Sequence, residues 1–433
     1  MSESLAELLD RGHYLSYIYS YPHKTSHQAL VPAIDLRELW AHEDRSALFL
    51  YLHVPFCEQR CDYCNLFSLA RPPAELMAAY LEALERQAAV MASVLAPARF
   101  ARLAIGGGTP SHLGVELFAR LFAIAARMGA SGIPTSVEVS PRSADPEILQ
   151  LIAAQGVTRV SVGVQSLFDH EVAAVHRRQS VDDIERTMAS VAGIPVRNVD
   201  LIYGLPGQTE ATFYSSIART VALGANEIYL YPLYVRPHTG LHGRATGPDH
   251  RVALYRAGRA RLLEAGFDQL TMRMFRRGGL SETVGPPYRC QTDGMVGLGI
   301  GARSYTRGLH YASPYAVTQP GVRAALDRWV AQTDADFAMA RHGFRLDLDE
   351  QRRRYLILSL LESRLERADY AARFGEDVYG HFPELRQAVA AGLVDEAPTE
   401  LSLTVLGRER SDVLGYWLQS PAVRAQRAAW AAE

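Results

Sequence analysis

The chain has almost none of the features that mark a membrane, secreted or nucleic-acid-binding protein. Its 433 residues include one lysine and four cysteines, and its formal net charge is −2. No apolar run approaches the roughly 20 residues that span a bilayer, and the first residues lack the charged and apolar regions of a signal peptide. A net charge this close to zero is not typical of proteins that bind nucleic acid or an anionic membrane surface through excess positive charge. We therefore expect a monomer in the cytoplasm, where its cysteines would stay reduced.

The composition and the apolar pattern indicate an α/β protein. Apolar residues make up 48% of the chain and charged residues 21%, which excludes disordered and fibrous classes. Short apolar runs alternate with patterns of helical periodicity. The runs resemble buried parallel strands and cover 47–54, 101–108, 135–140, 158–166, 196–204 and 226–234. Repeated βα units predict a doubly wound or barrel-like sheet, with functional residues at the C-terminal ends of its strands.

The same pattern divides the chain into four regions. An aromatic lead segment covers 1–44, and the alternating strands and helices cover 45–235. Residues 236–340 are less regular and are expected to complete the sheet on the substrate side. Residues 341–433 turn mostly helical, which predicts a small C-terminal domain.

Three of the four cysteines lie together directly after the first apolar run, as Cys57-x3-Cys61-x2-Cys64. A structural zinc site needs four ligands, usually in two close pairs, and the fourth cysteine is far away at position 290. An iron–sulfur cubane has four irons that each need a ligand, so three thiolates leave one iron open for chemistry. The spacing and the position at a strand end therefore favour an iron–sulfur cluster over zinc.

Further motifs follow the cysteines at the ends of later runs. In chain order the set reads YLHVPFCEQRCDYC, GGGTPS, VEVSPRS, SVGVQS and DLIYGLPGQT. Together they resemble the oxygen-independent coproporphyrinogen III oxidase (HemN-like) family of radical S-adenosylmethionine (SAM) enzymes. The resemblance implies a partial (β/α)6 radical-SAM barrel with a helical C-terminal domain. It also implies a [4Fe–4S] cluster on Cys57, Cys61 and Cys64, with flavodoxin or ferredoxin as electron donor.

The resemblance assigns SAM contacts to a set of residues near strand ends. These are Tyr51, Gly107, Gly108, Thr109, Glu138, Gln165, Arg177 and Asp200. Glycines at a strand end let the backbone approach a ligand, and the arginine fork suits a carboxylate. Asp200 matches an acidic residue that accepts ribose hydroxyls of a second SAM, so the resemblance implies two SAM molecules.

Two positions depart from the oxidase pattern within that family. Leu66 stands where the oxidases have a further cysteine, and Arg303 replaces the histidine of a common GAHS ending. Both differences argue against porphyrinogen chemistry. We therefore expect a two-SAM C-methyltransferase, or a related C–C bond-forming enzyme, acting on a small-molecule substrate. An oxidative decarboxylase of a porphyrinogen-like substrate and a haem-binding chaperone of the same family are the alternatives.

Cys290 is the cysteine outside the cluster motif, and it has two interpretations. Most free cysteines are small buried hydrophobes. The polar neighbours Arg289, Gln291 and Asp293 would instead suit a stabilised thiolate, and with it a catalytic role. The glycine-rich segment that follows predicts a return into the sheet, which would bring Cys290 to the C-terminal ends of the strands.

The N-terminal sequence YSYPHKT is a second candidate part of the site. It resembles a segment that lies across the active site in this family, and the alternative is simple aromatic packing against the barrel. His23 and Lys24 are the polar candidates within it.

Overall fold

The computed structural model describes residues 3–244, 247, 249–280, 288–290, 292–362 and 364–432. Its strands are β1 (Gln28–Asp35), β2 (Leu48–Val54), β3 (Phe56–Cys57), β4 (Leu69–Ala70), β5 (Phe100–Gly107), β6 (Thr135–Val139), β7 (Arg159–Gln165), β8 (Val196–Tyr203), β9 (Glu227–Pro232), β10 (Phe267–Gln269), β11 (Met274–Arg277), β12 (Met295–Leu298), β13 (Arg303–Tyr305), β14 (Leu309–Ala312), β15 (Met339–Arg345), β16 (Arg364–Glu366), β17 (Val394–Glu396) and β18 (Glu400–Leu403).

The helices alternate with these strands in the first half of the chain and cluster in the last third. They are α1 (Leu5–Arg11), α2 (Leu36–Ala41), α3 (Ala74–Leu95), α4 (Val115–Arg127), α5 (Pro146–Ala154), α6 (Asp169–Ala173), α7 (Val181–Ser190), α8 (Glu210–Ala222), α9 (Arg251–Glu264), α10 (Gln319–Val330), α11 (Asp334–Phe337), α12 (Leu348–Leu361), α13 (Arg367–Phe374), α14 (Val378–His381), α15 (Leu385–Ala390), α16 (Val405–Glu409), α17 (Ser411–Trp417) and α18 (Pro421–Ala432). Among the described residues, no helix is long and apolar enough to cross a membrane.

One large sheet forms the body of the protein. It has 13 strands in the order β1-β15-β14-β13-β12-β2-β5-β6-β7-β8-β9-β11-β10, and β1 and β10 are its two open edges. The strands from β12 through β2 and β5 to β9 pair in parallel. The predicted α/β fold with a partial, unclosed barrel is therefore confirmed.

The parallel strands are the apolar runs that the sequence predicts, because they are buried on both faces. In β2, Leu48, Leu50 and Leu52 are fully buried, and α3 and α4 turn buried apolar side chains toward the same core. Polar caps begin several of the helices between the strands. Asp145, for example, accepts a hydrogen bond from the first turn of α5, which compensates an unpaired backbone donor there.

The antiparallel strands at both ends of the sheet were not predicted. β1, within the lead segment, pairs with β15, and β11 pairs with β9. These strands come from distant parts of the chain, and their burial alternates weakly; β1 is exposed or half-buried along its whole length. Periodicity alone therefore gave no signal for them.

The last third forms a second core with a small sheet. The strands pair antiparallel in the order β16-β18-β17, and helices α12 to α18 surround them. Three residues of the lead segment, Leu5, Ile18 and Tyr21, are buried in this same core. The lead segment thus joins the C-terminal domain to the barrel.

Candidate functional site

The cysteine loop leaves β2 at the C-terminal edge of the parallel strands. It is fixed by short backbone pairing, since β3 lies parallel to β4 and the Arg71 amide donates to the carbonyl of Cys57 at 2.9 Å. Inside the loop, the amide of Cys64 donates to the carbonyl of Cys61 at 3.0 Å. The Asp62 amide donates to Val175 at 3.0 Å, which ties the loop to the segment after α6.

The three cysteines of this loop line one cavity. Burial raises the pKa of Cys57 to about 12, and the charges of Cys64 and Cys61 contribute to the rise. Burial likewise raises the pKa of Cys64, followed by the charge of Cys61. The charges of neighbouring thiolates therefore raise the pKa values of Cys57 and Cys64. This is expected for ligands that would lose their protons to a shared cationic group.

The glycines after β5 allow that strand to pass directly beneath the cysteine loop. A Cβ atom on Gly108 would lie 2.8 Å from Cys57 Sγ and 2.6 Å from the carbonyl oxygen of Phe56. Gly107 has φ +123°, a conformation that side chains strongly disfavour, and its added Cβ would lie 2.7 Å from the Val54 carbonyl. Thr109 donates its hydroxyl to Cys57 Sγ at 3.4 Å. The glycine motif is thus required by close approach to the cysteines.

Two carboxylates lie on the strands beside this glycine turn. Glu138 on β6 accepts a hydrogen bond from the Gly107 amide at 3.0 Å. Its side chain is exposed where it faces the cavity, and desolvation by the surrounding protein raises its pKa to about 7 despite that hydrogen bond. Asp200 on β8 accepts from Ser161 Oγ at 3.1 Å and from Asn198 Nδ2 at 2.8 Å, and burial raises its pKa as well. Each carboxylate, when ionised, can accept further hydrogen bonds besides those it makes within the protein.

Gln165 and Arg177 meet at the end of β7. Gln165 has φ +69°, which is costly for a residue with a side chain and is found where the surroundings impose it, often at functional sites. The Arg177 guanidinium donates to the carbonyl of Gly163 and to Gln179 Oε1 at 2.7 Å. The third guanidinium nitrogen, Nη1, lies 3.7 Å from Cys61 Sγ. Arg177 therefore lies between the cysteine loop and the end of β7.

Tyr51 does not line the cavity that contains the cysteines and the other predicted residues. Its hydroxyl is 3.2 Å from Nδ1 of His53, and burial raises its pKa, with Glu138 adding to the effect. Strand register aligns Tyr51 with Ala104 and Ala104 with Ser136, and Ser136 is two residues from Glu138, so Tyr51 and Glu138 face the same side of the sheet.

One cavity of about 190 Å³ is lined by the other residues that the sequence predicts to bind the cluster and SAM. Its walls include Cys57, Cys61, Cys64, Gly107, Gly108, Thr109, Glu138, Gln165, Arg177 and Asp200. Across the described chain, no three His, Cys, Asp or Glu side chains are grouped to hold a single metal ion. The three converging thiols instead fit a cluster in which each binds a different iron.

Cys290 does not lie at this site, and its predicted position is wrong. It comes just before β12, and β12 runs parallel to β2, so Cys290 is at the N-terminal edge of the strands, opposite the cysteine loop. Its thiol donates to Glu362 Oε1 at 2.7 Å. Burial and the adjacent Glu362 raise the thiol pKa well above its usual value, so the surroundings oppose a thiolate. Gln291, the neighbour on its C-terminal side, lies outside the described residues.

The sequence missed the residues that hold Asp200. Ser161 and Asn198 are buried polar side chains inside strands β7 and β8, and Asn198 donates to Ser161 Oγ at 2.7 Å. The signal was present, because polar residues inside apolar strands need partners. Which partners they have depends on the register of the two strands, which the sequence did not give.

Comparison with known proteins gives consistent results. Residues 51–219 match the family model of the radical SAM superfamily. The HemW haem chaperone of Synechocystis is 31% identical over 306 residues, which cover 65% of this chain and 71% of that protein. The oxygen-independent coproporphyrinogen III oxidase of Paracoccus denitrificans is 29% identical over 381 residues, covering 80% and 82% of the two chains.

A solved structure has the same fold. It is the coproporphyrinogen III oxidase HemN of Escherichia coli, described as a radical SAM enzyme, which superposes with a TM-score of 0.78 at 22% sequence identity. The superposition covers 93% of this chain and 97% of that one. The N-terminal segment, the barrel and the C-terminal domain therefore share one architecture with it.

Proposed function

The chain belongs to the radical SAM superfamily, in the family that contains the oxygen-independent coproporphyrinogen III oxidases and the HemW haem chaperones, and from this premise we propose that it is an enzyme that cleaves SAM to abstract hydrogen from an acid-bearing substrate. The reaction we propose is oxidative decarboxylation of a porphyrinogen-like compound. A [4Fe–4S] cluster, when bound, supplies the electron that cleaves SAM.

The observation that carries this proposal is the convergence of the predicted residues on one cavity. Three thiols, the glycine turn and the polar side chains of β6, β7 and β8 reach it from different parts of the chain. Glu138 and Asp200 place hydrogen-bond acceptors beside the thiols, where donors of SAM could reach them. Their presence supports an enzyme.

The chain's own residues would position SAM and exclude water. Cys57, Cys61 and Cys64 would hold the cluster, and Thr109 would bond to the Cys57 sulfur. Glu138 would accept N–H or O–H donors of SAM, and the Arg177 fork would bind its carboxylate. The glycine turn brings SAM close to the backbone, which shields a reactive intermediate from solvent.

C-methylation, which the sequence pattern favours, has no support among these relatives. The relatives in the comparison carry the names of oxidases and haem chaperones, and none of these names is that of a methyltransferase. A second SAM also has no support beyond the resemblance. Asp200, the residue assigned to it, lines the same cavity as Glu138.

The haem chaperone remains the second candidate, and Leu66 favours it over the oxidase. Leu66 replaces the additional cysteine of the oxidases and is 45% exposed at the cavity wall. This departure leaves the SAM residues intact, so it bears on the substrate step rather than on SAM cleavage.

Products distinguish the three possibilities. The reconstituted protein is incubated without oxygen with reductant, SAM and coproporphyrinogen III, and products are identified by mass spectrometry. We expect 5′-deoxyadenosine together with a product that has lost CO2. 5′-Deoxyadenosine with S-adenosylhomocysteine would indicate methyl transfer, and haem binding without any SAM consumption would indicate the chaperone. Either result would overturn the proposal.

A further inference from the structure

The only lysine of the chain lies in the N-terminal segment, on the barrel side of the molecule. Lys24 is half-buried, and its Nζ lies 3.7 Å from the ring centroid of Tyr315. Tyr315 in turn donates its hydroxyl to the carbonyl of Asn65 in the cysteine loop. Lys24 is therefore held next to the loop that carries the thiols.

Three arginines share this region with Lys24. Burial lowers the pKa of His23 well below its usual value, and four cations lower it further: Arg427, Lys24, Arg303 and Arg236. The Tyr19 hydroxyl lies 3.4 Å from His23 Nε2, and the Arg303 guanidinium lies over the ring of the same tyrosine. The four cations come from the N-terminal segment, the segment that follows β9, strand β13 and helix α18.

These four cations contact neutral groups. The guanidinium of Arg303 lies 4.4 Å from the ring of Tyr19 and donates to Ser20 Oγ at 2.7 Å. Arg236 lies 4.5 Å from the ring of Tyr234.

Arg427 completes the group with neutral partners of its own. It donates to Ser16 Oγ and to Gln419 Oε1, both at 2.8 Å. Burial, followed by the charge of Arg236, lowers its pKa to about 10. These surroundings therefore disfavour the charged form of Arg427, and a nearby anion would stabilise it.

No carboxylate is paired with any of the four in the part of the chain that the structure describes. Two other arginines with little exposure are paired: Arg273 binds Asp412 at 2.7 Å, and Arg276 binds Glu227 at 2.7 Å. Enclosing cations without anions is costly, and a cluster of them is stabilised when an anion arrives. The anions that this region lacks would come from a ligand.

We propose that Lys24 and Arg303, supported by Arg236 and Arg427, form the specificity site that binds two acidic groups of the substrate. The inference rests on the proposed function, and deepens it by naming the side chains that select the substrate. Arg303 offers a planar fork that binds an oxyanion through two hydrogen bonds, and Lys24 offers a point charge at a different position. A substrate with two separate oxyanion groups fits this pair better than one with a single group.

Carboxylates and phosphates share the required chemistry, and we favour carboxylates because the decarboxylation proposed above needs them. The probe is coproporphyrin III, which carries four carboxylates, and its uncharged tetramethyl ester is the matched control ligand. Binding to the cluster-loaded protein is followed by porphyrin fluorescence anisotropy. We expect the acid to bind at least about tenfold more tightly than the ester.

Two substitutions test the named residues. Lys24→Met and Arg303→Met should each weaken the acid by about tenfold and leave the ester unchanged, while Lys24→Arg should retain most of the affinity. Arg323→Met, an exposed change on α10 that breaks a surface pair with Asp327, is the matched control and should change neither ligand. Equal binding of acid and ester, or unchanged affinity in both variants, would overturn the inference.

The single lysine allows a second measurement on the unaltered chain. Acetylation with an amine-specific reagent modifies Lys24 and the N-terminal amine, and peptide mass spectrometry reports each separately. Coproporphyrin III should protect Lys24 from acetylation, and the ester should not. Protection by inorganic pyrophosphate but not by the porphyrin would reassign the site to phosphate-bearing substrates and overturn the carboxylate assignment.

The outcomes separate this inference from the proposed function. If the wild-type protein forms no 5′-deoxyadenosine but still binds the acid more tightly than the ester, the proposed function is wrong and the specificity site is supported. If 5′-deoxyadenosine forms but the preference is absent, the inference fails and the proposed function stands.

Discussion

At the scale of single residues, we predict that SAM binding depends on the protonation of Glu138. Burial raises its pKa to about 7 in the SAM-free protein. SAM carries a sulfonium and an ammonium charge, which favour the ionised carboxylate, so protonation of Glu138 competes with SAM. Affinity for SAM should be full above pH 7 and fall as the pH drops through 7, by up to about tenfold per pH unit. Equilibrium dialysis of SAM across this range measures the slope.

The control variants isolate that carboxylate. Glu138→Gln should weaken SAM binding at high pH and remove most of the slope, because the amide does not titrate. Glu147→Gln, an exposed position in the first turn of α5, should behave like the wild type. A slope that persists in Glu138→Gln would assign the titration to another group.

Cys290 leads to a different expectation now that its position is known. It lies at the edge of the sheet opposite the cysteine loop, and its raised pKa keeps the thiol protonated. Cys290→Ala should therefore cleave SAM at the wild-type rate, with a small change in thermal stability. Cys61→Ala, made in parallel, should lose SAM cleavage. Loss of product in Cys290→Ala with cleavage retained would restore the chemical role that the sequence suggested.

The predicted residues that come together in the structure include a motif with a fixed local geometry. Cys57, Cys61 and Cys64 lie in one loop, and their convergence follows from short spacing alone. Ser161 and the Lys24–Arg303 pair depend on contacts between distant segments, and these are fixed by strand register and by the path of the N-terminal segment. The same reason explains the error at Cys290, because the direction of β12 relative to β2 was not evident from the sequence.

At the scale of elements, the end of β5 and the cysteine loop form one unit. An added Cβ on Gly108 would overlap Cys57 Sγ and the Phe56 carbonyl, so the two segments would have to separate. Gly108→Ala should therefore reconstitute with clearly less iron and sulfide per chain. The measurement is chemical iron and sulfide analysis together with the visible absorbance of the cluster.

Gly193→Ala is the matched control for this element. Its Cβ would meet no atom within 4 Å, and the residue lies outside the left-handed region that favours glycine. It should load iron like the wild type, and both variants should keep the far-ultraviolet circular dichroism of the parent. Full iron loading of Gly108→Ala would mean that the loop can shift without loss of the ligand geometry.

Element prediction was accurate for the parallel strands and poor for the others. The run predicted at 196–204 is β8 at Val196–Tyr203, and one of the helical patterns expected between the runs is α3 at Ala74–Leu95. Buried strands and amphipathic helices have strong periodic signals. β1 and the small sheet of the C-terminal domain consist of short or exposed strands, which owe their structure to pairing partners elsewhere in the chain.

At the scale of the whole molecule, a buried ion pair connects the barrel to the C-terminal domain. Arg273, just before β11, binds Asp412 on α17 at 2.7 Å, and both are almost fully buried. Tyr234 at the end of β9 contacts both of them through its hydroxyl. The guanidinium also lies 4.1 Å from the ring of Tyr17 in the N-terminal segment. Three regions of the chain therefore meet at one charged pair.

Removing Asp412 should weaken all of these contacts together. Asp412→Ala leaves the Arg273 cation buried without its partner, a change that typically costs about 3–5 kcal/mol of unfolding free energy. Asp369→Ala breaks an exposed pair with Arg289 and should cost less than about 1 kcal/mol, which makes it the control. Denaturant unfolding of both variants measures the difference.

The same substitution should also affect the specificity site formed by Lys24 and Arg303. Because Tyr17 packs on Arg273 and belongs to the same segment as Lys24, Asp412→Ala should weaken the binding of a ligand there. Weaker coproporphyrin III binding in Asp412→Ala than in Asp369→Ala would show this coupling, whereas equal binding would confine the ion pair to a role in stability.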